Sequence, residues 1–392
     1  MAFLVSPGVQ VNEVDLTNVV PAVATSIGAI AGAFEKGPVS TIVNISSEEE
    51  LVEIFGKPTT TGNQFETFFS AANFLKYTDS LKVVRAESAI VNAGANSGIL
   101  IRDLDHYDVS FSTGQGSHGE WAARTAGTHG NSLRVEICPS ATAYEQDLST
   151  NNLVNGAGAV GDTTITVDDA DASGYAFNVG DLISFYSDTS NVVAVDDFNE
   201  YQVVSISGEV LTIRLKDDPS GAGLQNIIPD DSKIKRRWKY ADLFQGAPGT
   251  SEYNTNNGRG SNDELHVVVA DADGLITGFD TDTAGNRTKA VIETFGNMSK
   301  NSSAKSPQGD SIYYADVIRA KSNFIYWTDH ISAGSNWGTD TTTTYTSVVP
   351  ITIDTLTGGT DDYSTTAGEI ELAYDKFKDT ESEDINLVIG GS

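Results

Sequence analysis

The chain is poor in cysteine and methionine and has no long apolar run. Its 392 residues include one cysteine and two methionines. A single cysteine excludes an internal disulfide framework and suits a protein made in a reducing cytosol. No segment approaches the ~20 apolar residues that a membrane span needs, and Pro7 and Gly8 end the apolar run of residues 2–5 before it reaches the length of a signal-peptide core. We therefore expect a soluble chain with no membrane insertion.

Basic residues are scarce relative to acidic ones. Lys plus Arg number 24 against 54 Asp plus Glu, so the formal net charge is -30 at pH 7. This charge repels DNA phosphates and anionic lipids, so we expect protein partners and no direct contact with nucleic acid. A chain of this length exceeds what one hydrophobic core usually serves, so two or three domains are expected.

An isolated strand pattern opens the chain. Residues 9–16 alternate apolar and polar side chains, which is the period of a half-buried strand, and Pro7, Gly8 and Pro21 separate this strand from any nearby partner. An extended strand without a local partner can add to the sheet edge of another chain. The expected subunit-interface residues of this N-terminal arm are Ser6, Pro7, Gly8, Val9, Val11, Glu13 and Val14.

Residues 21–90 carry helix and strand patterns in turn. Ser46 or Ser47 can cap a first helix, and the apolar periodicity of residues 63–77 predicts a second one. The buried face of this second helix is expected to contain Phe65, Phe68, Phe69, Ala72 and Leu75. Residues 81–85 are typical of a short buried strand, so a compact α/β unit is expected here.

Residues 148–237 have a different character, with no helical period and with strand patterns recurring between turn clusters. The predicted strands are residues 163–167, 182–186, 201–206 and 210–215. A chain of short strands joined by turns favours a small β-barrel or sandwich. We expect this domain to be an insertion.

A second α/β region follows the insertion. Residues 265–270 form a continuous apolar strand pattern, and residues 291–327 mix helix and strand. Thr366 and Glu369 have the spacing of a helix capping box, and residues 387–389 are expected to form a buried strand. The predicted fold class is therefore α/β (α+β) and multi-domain, with layered α/β core parts and an inserted all-β barrel or sandwich.

These patterns predict five regions. They are an extended arm at 1–20, a first α/β unit at 21–90, a connecting loop region at 91–125, a discontinuous core α/β domain at 126–147 and 238–392, and the inserted β domain at 148–237.

One glycine pattern resembles a dinucleotide-binding turn. The three residues of this G-x-G-x-x-G pattern are Gly114, Gly116 and Gly119. They follow the strand-like residues 107–111, and Glu136 lies at about the distance of a ribose-binding acid. However, Gly127 and Gly130 end any following helix after about two turns, whereas a pyrophosphate site needs a full helix. We favour a flexible connecting loop and expect no cofactor.

Other chemistry is also weakly supported. Cys138 follows an apolar strand pattern, where a thiol is usually an inert core residue. The chain has no G-x-S-x-G elbow, and its histidines lack the spacing of a zinc site. Acidic turns such as Asp271 to Gly274 lack the full set of calcium-binding positions. We therefore expect no catalytic or metal-binding residues and no enzymatic activity.

One basic cluster stands out in this acidic chain. It consists of Lys233, Lys235, Arg236, Arg237 and Lys239. On a chain this acidic, the cluster is a candidate electrostatic contact with an acidic neighbouring subunit, or it coats the strand that leaves the insertion.

Short motifs in a fixed order run along most of the chain. They are S-P-G at 6–8, F-G-x-P at 55–58, L-x-V-V-R-A at 81–86, A-G-x-x-G-N-x-L at 126–133 and L-x-G-G at 356–359. In this order and spacing they resemble the contractile tail sheath proteins of T4-like phages. That family carries its larger insertion earlier in the chain and continues beyond a strand equivalent to residues 387–389. We therefore expect either a fragment or a remainder made as a separate polypeptide.

The resemblance implies a structural role. The expected function is a subunit that polymerises around the tail tube and contracts to drive the tube through the host envelope. The implied partners are other copies in a helical sheath, the tail tube protein, and the baseplate and tail terminator proteins. The implied location is the virion, after assembly in the host cytoplasm. The alternative is a free-standing adhesin whose β module recognises a receptor.

Overall fold

The computed structural model describes residues 26–62, 64–148, 152–187, 194–218, 220–278, 280–281, 287–288, 290–349 and 351–391. The predicted arm, including its interface residues 6–14, lies outside the described residues.

Strands and short helices alternate along the described chain. The strands are β1 Gly28–Gly32, β2 Ile42–Ile45, β3 Leu81–Arg85, β4 Trp121–Ala123, β5 Leu133–Cys138, β6 Glu145–Asp147, β7 Thr164–Thr166, β8 Leu182–Tyr186, β9 Tyr201–Ser207, β10 Val210–Leu215, β11 Lys233–Arg237, β12 Glu264–Asp271, β13 Asp280–Thr281, β14 Arg287–Thr288, β15 Ala290–Ser299, β16 Ile325–Trp327, β17 Thr352–Thr355 and β18 Leu387–Ile389. The α-helices are α1 Glu48–Phe55, α2 Gln64–Leu75, α3 Leu104–Ser110, α4 Ala141–Tyr144, α5 Glu252–Asn256, α6 Tyr314–Lys321 and α7 Ala367–Tyr374.

The chain divides into two compact units. The first unit contains Met1–Ser88 and Tyr363–Ser392, and the second contains Ala89–Asp362. The sequence patterns had instead predicted that residues 363–392 belong with the second α/β region. The difference arises because β18 pairs in parallel with β1, from Gly28 opposite Leu387 to Ile30 opposite Ile389. Local periodicity carries no information about such a distant pairing.

The first unit is a four-stranded sheet with helices against it. Its strand order is β18-β1-β3-β2. Helix α1 begins where predicted, because the Ser47 side chain accepts a hydrogen bond from Glu50 N at 3.2 Å. It ends at Gly56, whose φ of 83° lies in the left-handed region that glycine adopts without strain. Helix α7 has the predicted capping box between Thr366 and Glu369.

Two burial predictions for the first unit are wrong. On α2, Phe68 is buried, but Phe65 and Phe69 point outward and are 38% and 49% exposed. They lie four residues apart, so they share the helix face opposite the one that covers β1. Strand β18 forms at the predicted place but is an edge strand, so Leu387 and Val388 remain 48% and 63% exposed.

The strands of the predicted β insertion form a barrel-like sheet within the second unit. The sheet has the order β6-β11-β8-β9-β10-β7. Residues 152–158 join the two ends, because Val154 pairs with Val167 beyond β7 while Leu153 pairs with Lys233 at the start of β11. The sheet includes β6, so the barrel begins at Glu145, three residues before the expected boundary. Its apolar side chains form a hydrophobic core of their own, which contains Ile183, Val203 and Leu211.

The rest of the second unit surrounds an antiparallel sheet of order β15-β12-β5-β17. A second ribbon, β4 with β16, brings Trp121 and Trp327 into the core beside Tyr314 of α6. The expected connecting loop at 91–125 is wrong, since it contains α3 and β4. The strand-like residues 107–111 lie in and just after α3, which Asp103 caps by accepting a hydrogen bond from His106 N at 2.7 Å.

No described helix has the length and apolar character needed to cross a bilayer.

Candidate functional site

The candidate assembly surface is in the first unit, where the predicted arm leads into the sheet. The described chain begins at Ser26 and enters β1 at Gly28. Strand β1 lies inside the sheet, between β3 and the edge strand β18. Tyr374 of α7 donates its hydroxyl hydrogen to Ile389 O at 2.5 Å and so holds β18 in place. The outer side of β18 has no strand partner among the described residues and is therefore open to a strand from another chain.

The predicted basic cluster is largely neutralised within the chain. It lies on and just after β11, where Lys235 pairs with Glu145 at 2.5 Å. Arg237 makes a fork of two hydrogen bonds, at 2.8 and 2.6 Å, to the carboxylate of Glu200. Arg236 is buried, and its Nη2 donates to Gln146 Oε1 at 2.7 Å. These side chains mainly fasten the barrel.

Lys239, the last member of the basic cluster, pairs with the acid of the glycine pattern. Its Nζ lies 2.5 Å from Glu136 Oε1, and the Trp238 indole donates to Glu136 Oε2 at 3.2 Å. Burial lowers the pKa of Lys239 although Glu136 opposes that effect. Glu136 is thus occupied in a buried ion pair and is not placed to bind a ribose. Lys233 has no ion pair among the described residues. Of the five cluster members, only Lys233 is therefore still available for the expected contact with another subunit.

Two glycines of the pattern, Gly116 and Gly119, line a cavity of about 450 Å³ together with Glu120 and Asp329. A Cβ on Gly116 would lie 3.2 Å from Asp329 Oδ2, so the glycine loop faces a carboxylate. Helix α3 precedes the loop, whereas a dinucleotide turn follows a strand and opens a helix. Two carboxylates in the cavity repel a pyrophosphate. The arrangement does not fit a dinucleotide.

The other residues considered for a catalytic or ion-binding role, Cys138 and Asp271, have structural roles. Cys138 is buried, and burial raises the pKa of its thiol, which makes it unreactive. Asp271 is buried and accepts hydrogen bonds from Ile276 N at 2.9 Å and Thr277 N at 2.8 Å. These bonds build the predicted turn without an ion. In the described ranges no cluster of three or more His, Cys, Asp or Glu could hold a metal ion.

Two sequence motifs that are distant in the chain meet in the second unit. Asn131, from A-G-x-x-G-N-x-L, donates from Nδ2 to Gly359 O at 3.0 Å. Gly359, from L-x-G-G, donates its N–H back to Asn131 Oδ1 at 2.8 Å. A Cβ on Gly359 would lie 2.5 Å from Gly127 O, so the two backbones touch only because this residue is glycine. The glycines of both motifs therefore serve one packing site.

The L-x-G-G segment also pairs with residues 91–94, close to where the chain passes between the units. Val91 and Thr360 exchange backbone hydrogen bonds of 3.2 and 3.1 Å, and Gly94 and Thr357 exchange bonds of 2.9 and 2.8 Å. The chain passes between the units after Ser88 and after Asp362, and both places lie at the Val91–Thr360 end of this pairing. We call residues 89–94 and 356–362 the junction. The L-x-G-G motif located residues 356–359, but it did not reveal that they meet residues 89–94.

The comparisons with known proteins agree with these motifs. Residues 25–86, which span β1 to β3, match the family model of tail sheath protein Gp18, domain III N-terminal region. This match indicates that β1 to β3 resemble a domain of a tail sheath protein. More particularly, the chain is similar to curated tail sheath proteins, and the resemblance predicted from the motifs is confirmed.

Three relatives illustrate the similarity. The tail sheath protein of Vibrio phage KVP40 is 36% identical over 115 residues, which cover 26% of this chain and 16% of the relative. That of Enterobacteria phage T4 is 35% identical over 103 residues, covering 26% of this chain and 15% of the relative. That of Salmonella phage ViI is 23% identical over 391 residues, covering 93% of this chain and 52% of the relative. The chain thus spans about half, or less, of the length of the relatives it matches.

Proposed function

We propose that this protein is a structural subunit of a contractile phage tail sheath. It polymerises around the tail tube, and contraction of the sheath drives the tube through the host envelope. The observation that carries this proposal is the alignment with the ViI tail sheath protein over 93% of the chain. The match of residues 25–86 to a sheath domain also supports it. The three relatives named above give the adhesin alternative no support.

The partners are inferred from the same similarity to tail sheath proteins. Other copies of the chain form the helical sheath, the tube protein lies inside it, and the baseplate and tail terminator proteins close its ends. The protein acts in the virion after assembly in the host cytoplasm. It works by binding and changing contacts rather than by catalysis, because a sheath needs no active site.

The arm supplies the link between copies in this proposal. Residues 4–16 add as a strand to the sheet edge of a neighbouring subunit, and β18 presents such an edge. Each added hydrogen bond contributes only about 1 kcal/mol net, but repetition through a lattice makes the links strong together. An extended strand also keeps subunits joined while they rotate.

Deleting residues 4–16 tests this role. The shortened chain is expected to keep its circular dichroism spectrum and melting temperature but to form no tubes or sheath by negative-stain microscopy. A chain of the same length with residues 4–16 in scrambled order serves as the control for length, and it too is expected not to assemble. Normal tubes from either variant would contradict the role of the arm.

A further inference from the structure

A half-buried carboxyl group of β17 faces the apolar core of the second unit. Asp354 is directly opposite Val135 of β5, so the two side chains point to the same face of the sheet. Val135 belongs to the core cluster that also contains Trp121 and Leu356. A carboxyl group on this face exchanges water for apolar neighbours, which disfavours its charged form.

Two polar atoms at this place have no hydrogen-bond partner. Asp354 Oδ2 and Trp121 Nε1 are both buried and both unpaired among the described residues. Trp121 is fully buried. The indole N–H favours the charged carboxyl group but makes no well-formed hydrogen bond to it, which leaves the cost of burying either group only partly offset.

The surroundings oppose a negative charge on Asp354. Burial is the main cause that raises the pKa of this carboxyl group, to about 6, and the negative charge of Glu120 beside Trp121 raises it further. The indole N–H of Trp121 opposes these effects in part. On β5, Arg134 and Glu136 flank Val135 and therefore point to the opposite face of the sheet.

Strand β17 pairs with another strand of its sheet on one side only. It is the edge strand of its sheet and has β5 as its one strand neighbour there. Directly after it comes Leu356, the first residue of the second junction segment, whose N–H donates to Leu133 O at 2.9 Å. If β17 separates from β5, the segment through which the chain passes to the first unit is therefore loosened as well.

We propose that Asp354 makes β17 a pH-sensitive fastening. With its carboxyl group neutral, β17 is held on the sheet with its side chain in the core. When the group ionises, the charge is buried against Glu120 and apolar neighbours, and β17 and the junction segment after it loosen. This inference is independent of the proposed sheath function.

The sign of the pH dependence follows from the raised pKa. The folded state holds this proton more tightly than the unfolded state, in which an Asp has a pKa near 3.8. The hold on β17 is therefore greatest below that value, is lost as the pH rises through about 6, and does not change further at higher pH. A shift of about two pKa units corresponds to at most about 100-fold in the opening equilibrium, and partial exposure of the group reduces this toward about tenfold.

Hydrogen–deuterium exchange with mass spectrometry tests the proposal on the full chain. Wild type and Asp354→Asn are compared at the same pH, so that the intrinsic exchange rate cancels. At pH 8 the peptide covering residues 351–357 is expected to exchange about 10-fold to 100-fold faster in wild type than in the variant. At pH 4.5 this difference is expected to shrink to about sixfold or less, because the folded state is then neutral although the open state is already mostly ionised. Equal exchange at both pH values would overturn the proposal.

Two further variants keep the test decisive. Glu120→Gln removes the opposing charge and is expected to move the wild-type transition to lower pH, which remains measurable if Asp354→Asn fails to fold. Asp181→Asn is the matched control, because burial also raises the pKa of Asp181 to about 6, but this residue lies in the barrel. It is expected to leave exchange in residues 351–357 unchanged. An unmoved transition in Glu120→Gln, or an effect of Asp181→Asn equal to that of Asp354→Asn, would overturn the proposal.

Discussion

The barrel of residues 145–237 and the sheet of the first unit differ in how each treats its strand edges. In the barrel, Leu153 pairs with Lys233 of β11 and Val154 pairs with Val167 beyond β7, so this segment links the two sides of the sheet. In the first unit, β18 lies at an edge with exposed apolar side chains. The barrel also uses its basic residues internally, as in the pairs Lys235–Glu145 and Arg237–Glu200. A closed sheet can stand alone, whereas an open edge can take a partner strand, so the difference separates a self-contained module from an assembly surface.

Excising the barrel tests whether residues 145–237 fold without the rest of the second unit. A polypeptide of residues 145–237 is expected to be soluble, to give a β-rich circular dichroism spectrum and to melt cooperatively, because its core and its edges are satisfied internally. The complementary variant, with a short Gly-Ser linker in place of residues 148–237, is expected to keep the first unit folded. A disordered spectrum for the excised barrel would show that the barrel depends on the rest of the second unit.

Two adjacent phenylalanines of α2 separate stability from assembly. Phe68→Ala empties a buried site and is expected to lower the free energy of unfolding by about 3–5 kcal/mol. Phe69→Ala, on the outward face, is expected to cost less than about 1 kcal/mol in the isolated chain and to reduce sheath assembly. Urea unfolding and light scattering measure the two effects.

The barrel offers a control for this pair, because Phe198 is also exposed there. Phe198→Ala is expected to leave assembly unchanged. Equal losses of assembly from Phe69→Ala and Phe198→Ala would remove the distinction between the two regions.

The smallest expected effect concerns the junction. Gly359→Ala places a methyl group 2.5 Å from Gly127 O and is expected to destabilise the chain by about 1–3 kcal/mol. Gly368→Ala is the matched control, because a Cβ there meets no atom within 4 Å and the residue lies inside α7, where alanine is the better helix former. It is expected to raise stability by about 0.5–1 kcal/mol. Thermal unfolding of both variants decides the matter, and a neutral Gly359→Ala would show that the backbones at the junction can move apart.

Local signals in the sequence predicted local structure well. The caps of α1 and α7 and the strands of the barrel were found because caps, turns and alternation act over a few residues. Residues 107–111 were misread as a strand, although Asp103 three residues before His106 was an available signal for a helix cap.

Contacts between residues far apart in the chain could not be predicted from the sequence. The pairing of β18 with β1, the internal ion pairs of β11 and the meeting of Asn131 with Gly359 all join residues that are far apart in the chain. Periodicity describes one face of one element and does not say what covers it. The sequence therefore predicted the elements of the candidate assembly surface but not which of their side chains stay exposed.

The most direct test of the account is to locate the chain on the particle that carries it. An antibody raised against the barrel, residues 145–237, is labelled with gold and applied to whole particles before negative-stain microscopy. A sheath subunit predicts labels along the full length of the tail, with their spacing reduced after contraction. Labels confined to fibre tips or to the baseplate would contradict the sheath assignment.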